Sequence, residues 1–173
     1  MKVIDLKKHI RDIPDFPKEG IVFKDISTLL KNPRAFGKSI DTLAAVFKKS
    51  RIKYVVGVEA RGFIFGAALA YSLGAGFIPV RKKGKLPYKT KSVTYQLEYG
   101  MDTLEIHEDA IPANARVLVV DDVLATGGTI KAVIDLLKLQ KAKIVGLAFL
   151  VELQFLKAKE KIKDLPIYSV IQY

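Results

Sequence analysis

The sequence of 173 residues contains no cysteine and no tryptophan, and its histidines number only two, His9 and His107. Without cysteine the chain can form neither disulfides nor thiolate metal sites, and two isolated histidines argue against a zinc site built from imidazoles. No Pro- or Ser-rich linker, repeat or low-complexity tract divides the chain. We therefore expect residues 1–173 to form a single domain around one core.

Long apolar runs are absent with one exception, residues 62–80, which contain no charged side chain. This run nearly reaches the length of a membrane span, but Leu73-Gly74-Ala75-Gly76 and Pro79 interrupt it. That pattern favours a buried helix, a glycine stop and a short buried strand. The chain starts with charged, amphipathic sequence and not with a signal peptide, so we expect a cytoplasmic protein without a membrane partner.

Acidic residues are few relative to basic ones, with 18 against 29 and a net charge of +11. Such an excess attracts either nucleic acid or small polyanions. The densest basic cluster is Arg81-Lys82-Lys83-Gly84-Lys85, within a polar segment that is typical of a mobile lid or, alternatively, of a solvated surface loop. Charge alone leaves the kind of partner open.

The segment from Val117 to Ile130 is the most informative in the chain. Four aliphatic residues at its start predict a buried strand, and the helical spacing of Ile130, Val133 and Leu137 predicts a helix after it. The glycines between them let the backbone approach a ligand closely, and Thr129 is expected to cap the helix. Unpaired N–H groups at a helix start favour anions. The predicted phosphate loop comprises Ala125, Thr126, Gly127, Gly128 and Thr129.

Asp121 and Asp122 stand just before this loop. Their carboxylates would repel a phosphate placed on them, but they are good acceptors for sugar hydroxyls further along the same ligand. No Lys-Ser or Lys-Thr follows the glycines, so the loop is not a P-loop and ATP hydrolysis is disfavoured. The segment predicts a sugar phosphate site; the alternative is two solvated acids followed by a turn and an ordinary capped helix.

A second loop, Glu59-Ala60-Arg61-Gly62, follows a predicted strand at Tyr54–Val58 and leads into the apolar helix. Its backbone and the forked donor of Arg61 suit a phosphate, although the tetrapeptide alone is weak support. Other predicted elements are a helix over 4–13, a helix after Asn32-Pro33, strands over 77–80 and 144–151, a loop over 82–92, two strands within 93–106, and a solvated lysine-rich helix over 157–163. Apolar strands alternating with helices predict an α/β fold with a mainly parallel sheet and ligands at the carboxyl ends of its strands.

The acid pair and its Thr-Gly-Gly-Thr loop resemble the ribose-phosphate signature of type I phosphoribosyltransferases. Residues 57–63 are similar to the pyrophosphate loop of the adenine phosphoribosyltransferases. Further segments match that family in order, namely Ile13–Pro17, Gly20–Ile26, Arg81–Pro87, Tyr95–Gly100, Leu104–His107 and Val151–Leu153. Val123, where the family commonly has leucine, is a mild departure. The resemblance implies the type I phosphoribosyltransferase fold, a twisted, mainly parallel sheet flanked by helices, with a base-binding hood from residues 1–30 and a flexible basic lid at 82–98.

The resemblance also implies the reaction: transfer of 5-phosphoribosyl from 5-phospho-α-D-ribose 1-diphosphate to N9 of adenine, giving AMP and diphosphate. Asp121, Asp122 and the phosphate loop would bind the ribose 5-phosphate. Glu98, in the Leu-Glu-Tyr-Gly turn, would be the catalytic acid or base. The residues implied for pyrophosphate are Glu59, Ala60, Arg61, Arg81, Lys82 and Lys85. Those implied for adenine are Val22, Phe23, Lys24 and Leu153, with plain core packing as the alternative for Phe23 and Leu153.

Mg²⁺ is expected as the cofactor, held by the substrate diphosphate and water and not by a direct protein site. The resemblance further implies a homodimer with the lid near the partner subunit. One alternative is a phosphoribosyltransferase for another purine, which would differ in the hood and around Leu153. A more remote alternative is a nucleic-acid-binding regulator of the same fold; only the charge supports it, and we expect no room in 173 residues for an added DNA-binding domain.

Overall fold

The computed structural model describes residues 5–96 and 100–173. The strands of this part of the chain are β1 (Arg11–Ile13), β2 (Phe23–Asp25), β3 (Tyr54–Val58), β4 (Gly76–Lys82), β5 (Thr90–Gln96), β6 (Met101–His107), β7 (Arg116–Leu124), β8 (Lys143–Glu152) and β9 (Ile167–Gln172). The α-helices are α1 (Ser27–Lys31), α2 (Pro33–Phe47), α3 (Gly62–Leu73), α4 (Gly128–Leu139) and α5 (Ala158–Lys161), and single 3₁₀ turns span Leu6–His9 and Gln154–Leu156.

The main sheet has the strand order β5-β6-β4-β3-β7-β8-β9. Strands β4, β3, β7, β8 and β9 run parallel to one another, while β5 and β6 form an antiparallel edge. Apolar side chains cover both faces: in β7, Val117 and Val119 pack toward α4, whereas Leu118 and Val120 pack toward α2 and α3. The predicted α/β class with a mainly parallel, helix-covered sheet is confirmed.

Local sequence signals explain where two of the helices begin and end. The Asn32 Oδ1 atom accepts hydrogen bonds from the N–H groups of Arg34 and Ala35, both at 3.1 Å, and Pro33 occupies the first helical position of α2. Helix α3 ends at Gly74, whose left-handed φ of 62° stops it as the sequence predicts. Among the described residues no helix is long and apolar enough to cross a bilayer.

The prediction of a helix over 4–13 is wrong beyond Leu6–His9. Residues Arg11–Ile13 instead form β1, which pairs antiparallel with β2 as a separate two-stranded sheet. The pairing sets Arg11 opposite Asp25 and Asp12 opposite Lys24, and both pairs form ion pairs. Cross-strand pairs of opposite charge stabilise an antiparallel ladder, and this partner lies too far along the chain for a local pattern to reveal it.

Two more expectations need correction, and several elements were not predicted. The segment predicted as a loop over 82–92 is shorter, because β5 begins at Thr90 and pairs with β6 up to His107. The predicted lysine-rich helix over 157–163 is a single turn, Ala158–Lys161. The sequence analysis did not predict β2, α1, the 3₁₀ turn Gln154–Leu156 or β9. Strand β9 forms by pairing with the edge of β8.

Candidate active site

Strand β7 extends beyond the end of β3, and this extension carries Asp121 and Asp122. Its pairing with β3 ends at Gly57 and Val120, and beyond that point β7 continues beside β8 alone. Asp121 and Asp122 therefore lie within the strand and not after it, on a stretch that β3 no longer covers. The uncovered side faces the loop that follows β3.

The phosphate loop joins β7 to α4 as predicted, although its capping differs. Gly127 precedes the helix with a left-handed φ of 82°, and an added Cβ there would lie 3.2 Å from the Cβ of Ala158. Helix α4 begins at Gly128, so the prediction that Thr129 caps it is wrong; no side chain caps this helix. Because the first turn of a helix leaves its N–H groups without helical acceptors, these groups remain available to an anion.

A cavity of about 80 Å³ lies within this loop, lined by Asp121 and residues 123–130. That space exceeds the ~30 Å³ share of one water molecule and suits a small anion. Lys161, which the sequence analysis placed on a solvated face, donates from Nζ to the carbonyl oxygen of Thr126 at 3.1 Å. The Lys161 ammonium therefore lies beside the phosphate loop, where the single helical turn α5 places it.

The two aspartates differ in their partners. The Asp122 side chain is only 6% exposed, and its Oδ2 atom lies 2.9 Å from Nε of Arg61. The Asp121 Oδ1 atom accepts a hydrogen bond from the N–H of Asp122 at 2.9 Å. Burial, followed by the charge of Asp122, raises the pKa of Asp121 well above its ordinary value. Burial also raises the pKa of Asp122, although Arg61 opposes that shift.

Arg61 links the second loop to the acid pair and to the hood. Besides its ion pair with Asp122, its guanidinium lies 5.3 Å from the ring centroid of Phe23 in β2. The side chain is still 44% exposed, so it retains a surface that an anion can reach. The sequence predicted a phosphate donor here, and the structure also brings Arg61 against the carboxylate of Asp122.

Gly62 allows α3 to begin directly beside the acid pair. A Cβ added at this position would lie 2.8 Å from Oδ1 of Asp121 and 3.1 Å from the carbonyl oxygen of Val120. Both distances are shorter than ordinary van der Waals contact. Glycine is thus required here by the close approach of two backbones.

Glu59 organises the basic segment through its hydrogen bonds. Its carboxylate accepts hydrogen bonds from Arg81, with Nη2 to Oε1 at 3.0 Å, and from the backbone N–H of Lys82 at 3.0 Å. The hydrogen bond from Arg81, helped by that of Lys82, lowers the pKa of Glu59 despite its burial. Arg81 also donates to the carbonyl oxygen of Lys85 at 2.9 Å. This network ties the loop after β3 to the segment after β4.

A cavity of about 590 Å³ brings the second loop, the acid pair and the hood together. Its wall includes Glu59, Ala60, Arg61, Lys82, Asp121, Asp122 and Phe23. Two residues that sequence reasoning missed also line it, Tyr95 of β5 and Asp102 of β6, and Asp102 forms an ion pair with Lys82 at 3.2 Å. Arg81 and Lys85, both among the described residues, lie outside this wall.

A larger cavity of about 1010 Å³ adjoins it on the side of the hood. Apolar groups from both ends of the chain line it, including Val22, Leu153 and Phe155. Six residues line both cavities, namely Ile21, Val22, Lys24, Ala125, Thr129 and Leu153. The phosphate loop and the predicted purine contacts therefore share one continuous site. Glu98 lies outside the described residues; Gln96, two residues before it, is in the wall of the larger cavity.

The sequence identifies the family to which this chain belongs. A sequence model of the phosphoribosyl transferase domain matches residues 25–171, which is most of the chain. The chain belongs to the phosphoribosyltransferase family. Its likeness within that family is to the adenine phosphoribosyltransferases: the enzyme of that name from Acidobacterium capsulatum is 56% identical over 168 residues, covering 97% of this chain and 93% of that protein.

Solved structures agree with this grouping. The crystal structure of adenine phosphoribosyltransferase from Thermoanaerobacter pseudethanolicus matches with a TM-score of 0.94 and 50% identity over 98% of both chains. The Giardia lamblia enzyme complexed with 9-deazaadenine matches with a TM-score of 0.93 and 41% identity, covering 100% of this chain and 98% of that one. The predicted type I phosphoribosyltransferase fold is confirmed.

Proposed function

We propose that this protein transfers the 5-phosphoribosyl group from 5-phospho-α-D-ribose 1-diphosphate to N9 of adenine, giving AMP and diphosphate. The observation that carries the proposal is the shared wall of the two cavities, where Ala125 and Thr129 of the phosphate loop meet Val22 and Leu153. A sugar phosphate held at the loop would thus have its anomeric carbon between a base site and an anion site. Purine salvage is the role of such a reaction.

The ribose 5-phosphate is bound by the start of α4. Backbone N–H groups of the loop and the hydroxyls of Thr126 and Thr129 donate to the phosphate, and the helix dipole favours its charge. Asp121 and Asp122 accept hydrogen bonds from the ribose hydroxyls. Burial raises the pKa of Asp121, which means that its charged form is destabilised in the site. Ribose hydroxyls that donate to this carboxylate offset part of that cost.

The diphosphate is bound on the side of the second loop. Ala60 offers backbone groups, and the exposed part of Arg61 and the Lys82 side chain offer positive charge within the same cavity. Glu59 accepts from Arg81 and from the Lys82 backbone, which holds the basic segment in place before charge grows on the leaving group. Closure of the lid, residues 82–98, brings Lys85 toward the leaving group and excludes water, while Arg81 stays at the base of the lid in β4.

Adenine is bound between the hood and Leu153. A purine is a flat apolar ring with polar edges, so aliphatic contacts on its faces and backbone hydrogen bonds at its edge suffice for recognition. Val22 supplies the backbone groups, with Phe23 and Lys24 completing the hood, and Leu153 packs on the opposite face. The 9-deazaadenine bound to the Giardia lamblia relative supports a purine of this shape.

Bond cleavage runs ahead of bond formation, as in other glycosyl transfers through an oxocarbenium-like state. The attacking nucleophile is adenine N9, so no protein nucleophile is required. Glu98 acts as the acid or base that moves the proton displaced from the purine. The remaining residues hold the two reactants in line, and this positioning supplies much of the rate.

Mg²⁺ fits the site as a companion of the substrate. Diphosphate oxygens and water are the hard ligands that Mg²⁺ prefers, so they would be its main ligands. When bound, the ion neutralises charge on the departing diphosphate. We further propose a homodimer in the cytoplasm, with the lid of one subunit near its partner.

The test is pyrophosphate release from 5-phosphoribosyl diphosphate with adenine, hypoxanthine and guanine in turn. Adenine should support Mg²⁺-dependent release and the other purines should not. A preference for hypoxanthine or guanine would favour a phosphoribosyltransferase for another purine. Affinity for duplex DNA at physiological salt, without any adenine-dependent release, would instead favour a regulator.

A further inference from the structure

Tyr173, which directly follows β9, is tied to both neighbours of Leu153. Its N–H donates to the carbonyl oxygen of Glu152 at 3.0 Å, and its own carbonyl oxygen accepts from the N–H of Gln154 at 2.9 Å. The N–H of Leu153 donates to the carbonyl oxygen of Leu124 at 2.9 Å. Together these bonds fix the backbone that presents Leu153 to the larger cavity, whose wall Tyr173 shares.

The ring of Tyr173 contacts the hood on the other side of the same cavity. Nζ of Lys24 lies 4.0 Å from the ring centroid, and Nζ of Lys7 lies 4.2 Å from it. Lys24 belongs to β2, directly after Val22 and Phe23, and its side chain is only 13% exposed. A lysine over an aromatic face is attracted to it, more strongly where the ammonium is shielded from water.

These contacts connect the hood strand β2 to the backbone around Leu153 on the opposite wall. Within the hood, β1 and β2 form a separate two-stranded sheet, an element that is only marginally stable on its own. Nζ of Lys24 also pairs with Asp12 of β1 at 2.8 Å, so holding this ammonium holds both strands of this sheet. Lys7 adds a second link, because its Nζ donates to the carbonyl oxygen of Gln172 at 3.0 Å.

We propose that Tyr173 is a positioning residue for adenine, setting the distance between the Val22–Lys24 hood strand and Leu153 through its ring contacts with Lys24 and Lys7. The inference rests on the proposed function and adds a specific residue to it. Without the ring, the base must order the hood as it binds, and that ordering weakens the affinity for the base. The phosphate loop has separate supports, so binding of the ribose 5-phosphate is unaffected.

The kinetic test compares Tyr173→Leu with Tyr173→Phe. Loss of a partly shielded cation–π contact should raise KM for adenine about three- to thirtyfold in Tyr173→Leu. KM for 5-phosphoribosyl diphosphate and kcat should change by less than about twofold, because the interaction is made equally in the ground and transition states. Tyr173→Phe keeps the ring and should restore the wild-type KM for adenine.

Matched variants separate positioning from a general loss of structure. Tyr168→Leu removes the tyrosine within β9, which packs edge-on against Phe47 at 5.1 Å between ring centroids, and should leave KM for adenine unchanged. If Tyr173 acts through Lys24, the effect of Tyr173→Leu should shrink in a Lys24→Met background. Should Tyr173→Leu fail to fold, Lys7→Met removes one ring contact and should raise KM for adenine in the same direction.

Direct binding gives a second readout. By calorimetry, Tyr173→Leu should bind AMP more weakly than the wild type but bind ribose 5-phosphate equally well. Equal AMP binding, an equal rise in both KM values, or the same defect in Tyr173→Phe would overturn the role of Tyr173. A wild-type protein that forms no AMP from adenine would instead refute the proposed function, so the two failures are distinguishable.

Discussion

Gly62→Ala is the smallest change that tests the link between α3 and the proposed ribose site. The substitution adds one methyl group at the first residue of α3, where β7 passes closest. The added Cβ would lie 2.8 Å from Oδ1 of Asp121, 3.1 Å from the carbonyl oxygen of Val120 and 3.3 Å from the Cα of Asp121. Two of these three atoms belong to the backbone of a buried central strand and cannot rotate away.

The expected loss of stability follows from overpacking. Forcing an extra methyl group into a packed interior costs about 1–3 kcal/mol. For a domain of this size, 1 kcal/mol shifts Tm by about 2–4 °C, so Tm should fall by roughly 2–12 °C. Because the displaced group is Asp121, affinity for ribose 5-phosphate should also weaken, by about ten- to a hundredfold if the carboxylate moves by a sizeable fraction of an ångström.

The assays are thermal unfolding and calorimetric titration with ribose 5-phosphate, each beside a glycine control. Gly37 lies inside α2 with no atom within 4 Å of an added Cβ, so Gly37→Ala should stabilise the protein by about 0.5–1 kcal/mol and leave binding unchanged. Wild-type stability and wild-type affinity in Gly62→Ala would refute the reasoning.

Three further predictions concern adenine binding, proton transfer and the stability of the hood. Leu153→Ala should raise KM for adenine about tenfold, as expected for a half-buried leucine face, and an unchanged KM would remove Leu153 from the base site. Glu98→Gln should lower kcat/KM by about 10²–10⁴-fold, and unchanged kcat/KM in a variant that still binds adenine would exclude its role. The hydrogen bonds of Ser27 and Arg11 lower the pKa of Asp25 to about 2. The stability that Asp25 contributes to the fold is therefore complete above its unfolded pKa of about 4 and is lost as pH falls toward 2. The difference in unfolding free energy between wild type and Asp25→Asn, measured in urea, should therefore shrink over that pH range, and a constant difference would contradict it.

The parts of the fold that the sequence predicts are those encoded locally. Asn32 and Pro33 specify the start of α2 within three residues, and Val117–Val120 with the glycines after them specify a strand, a loop and a helix. The helix α4 obeys its apolar spacing and buries Val133 and Leu137. No partner from elsewhere in the chain is needed to recognise any of these segments.

The parts that could not be predicted depend on distant partners. Arg11–Ile13 becomes a strand only because Phe23–Asp25 pairs with it, and β9 has a place only beside β8. At the site, the loop after β3 predicts a phosphate donor at Arg61 but says nothing of its ion pair with Asp122. Lys161 reaches Thr126 because α5 is one short turn. The roles of the site residues themselves stay predictions, Glu98 among them.

Competition among purines tests the central claim most directly. Equal concentrations of adenine, hypoxanthine and guanine are incubated with the protein, Mg²⁺ and limiting 5-phosphoribosyl diphosphate, and the nucleotides formed are separated by chromatography. We predict that AMP exceeds the other two products by at least about a hundredfold, since a site that binds one polar edge leaves groups unpaired with another base. Comparable amounts of IMP or GMP would contradict the account.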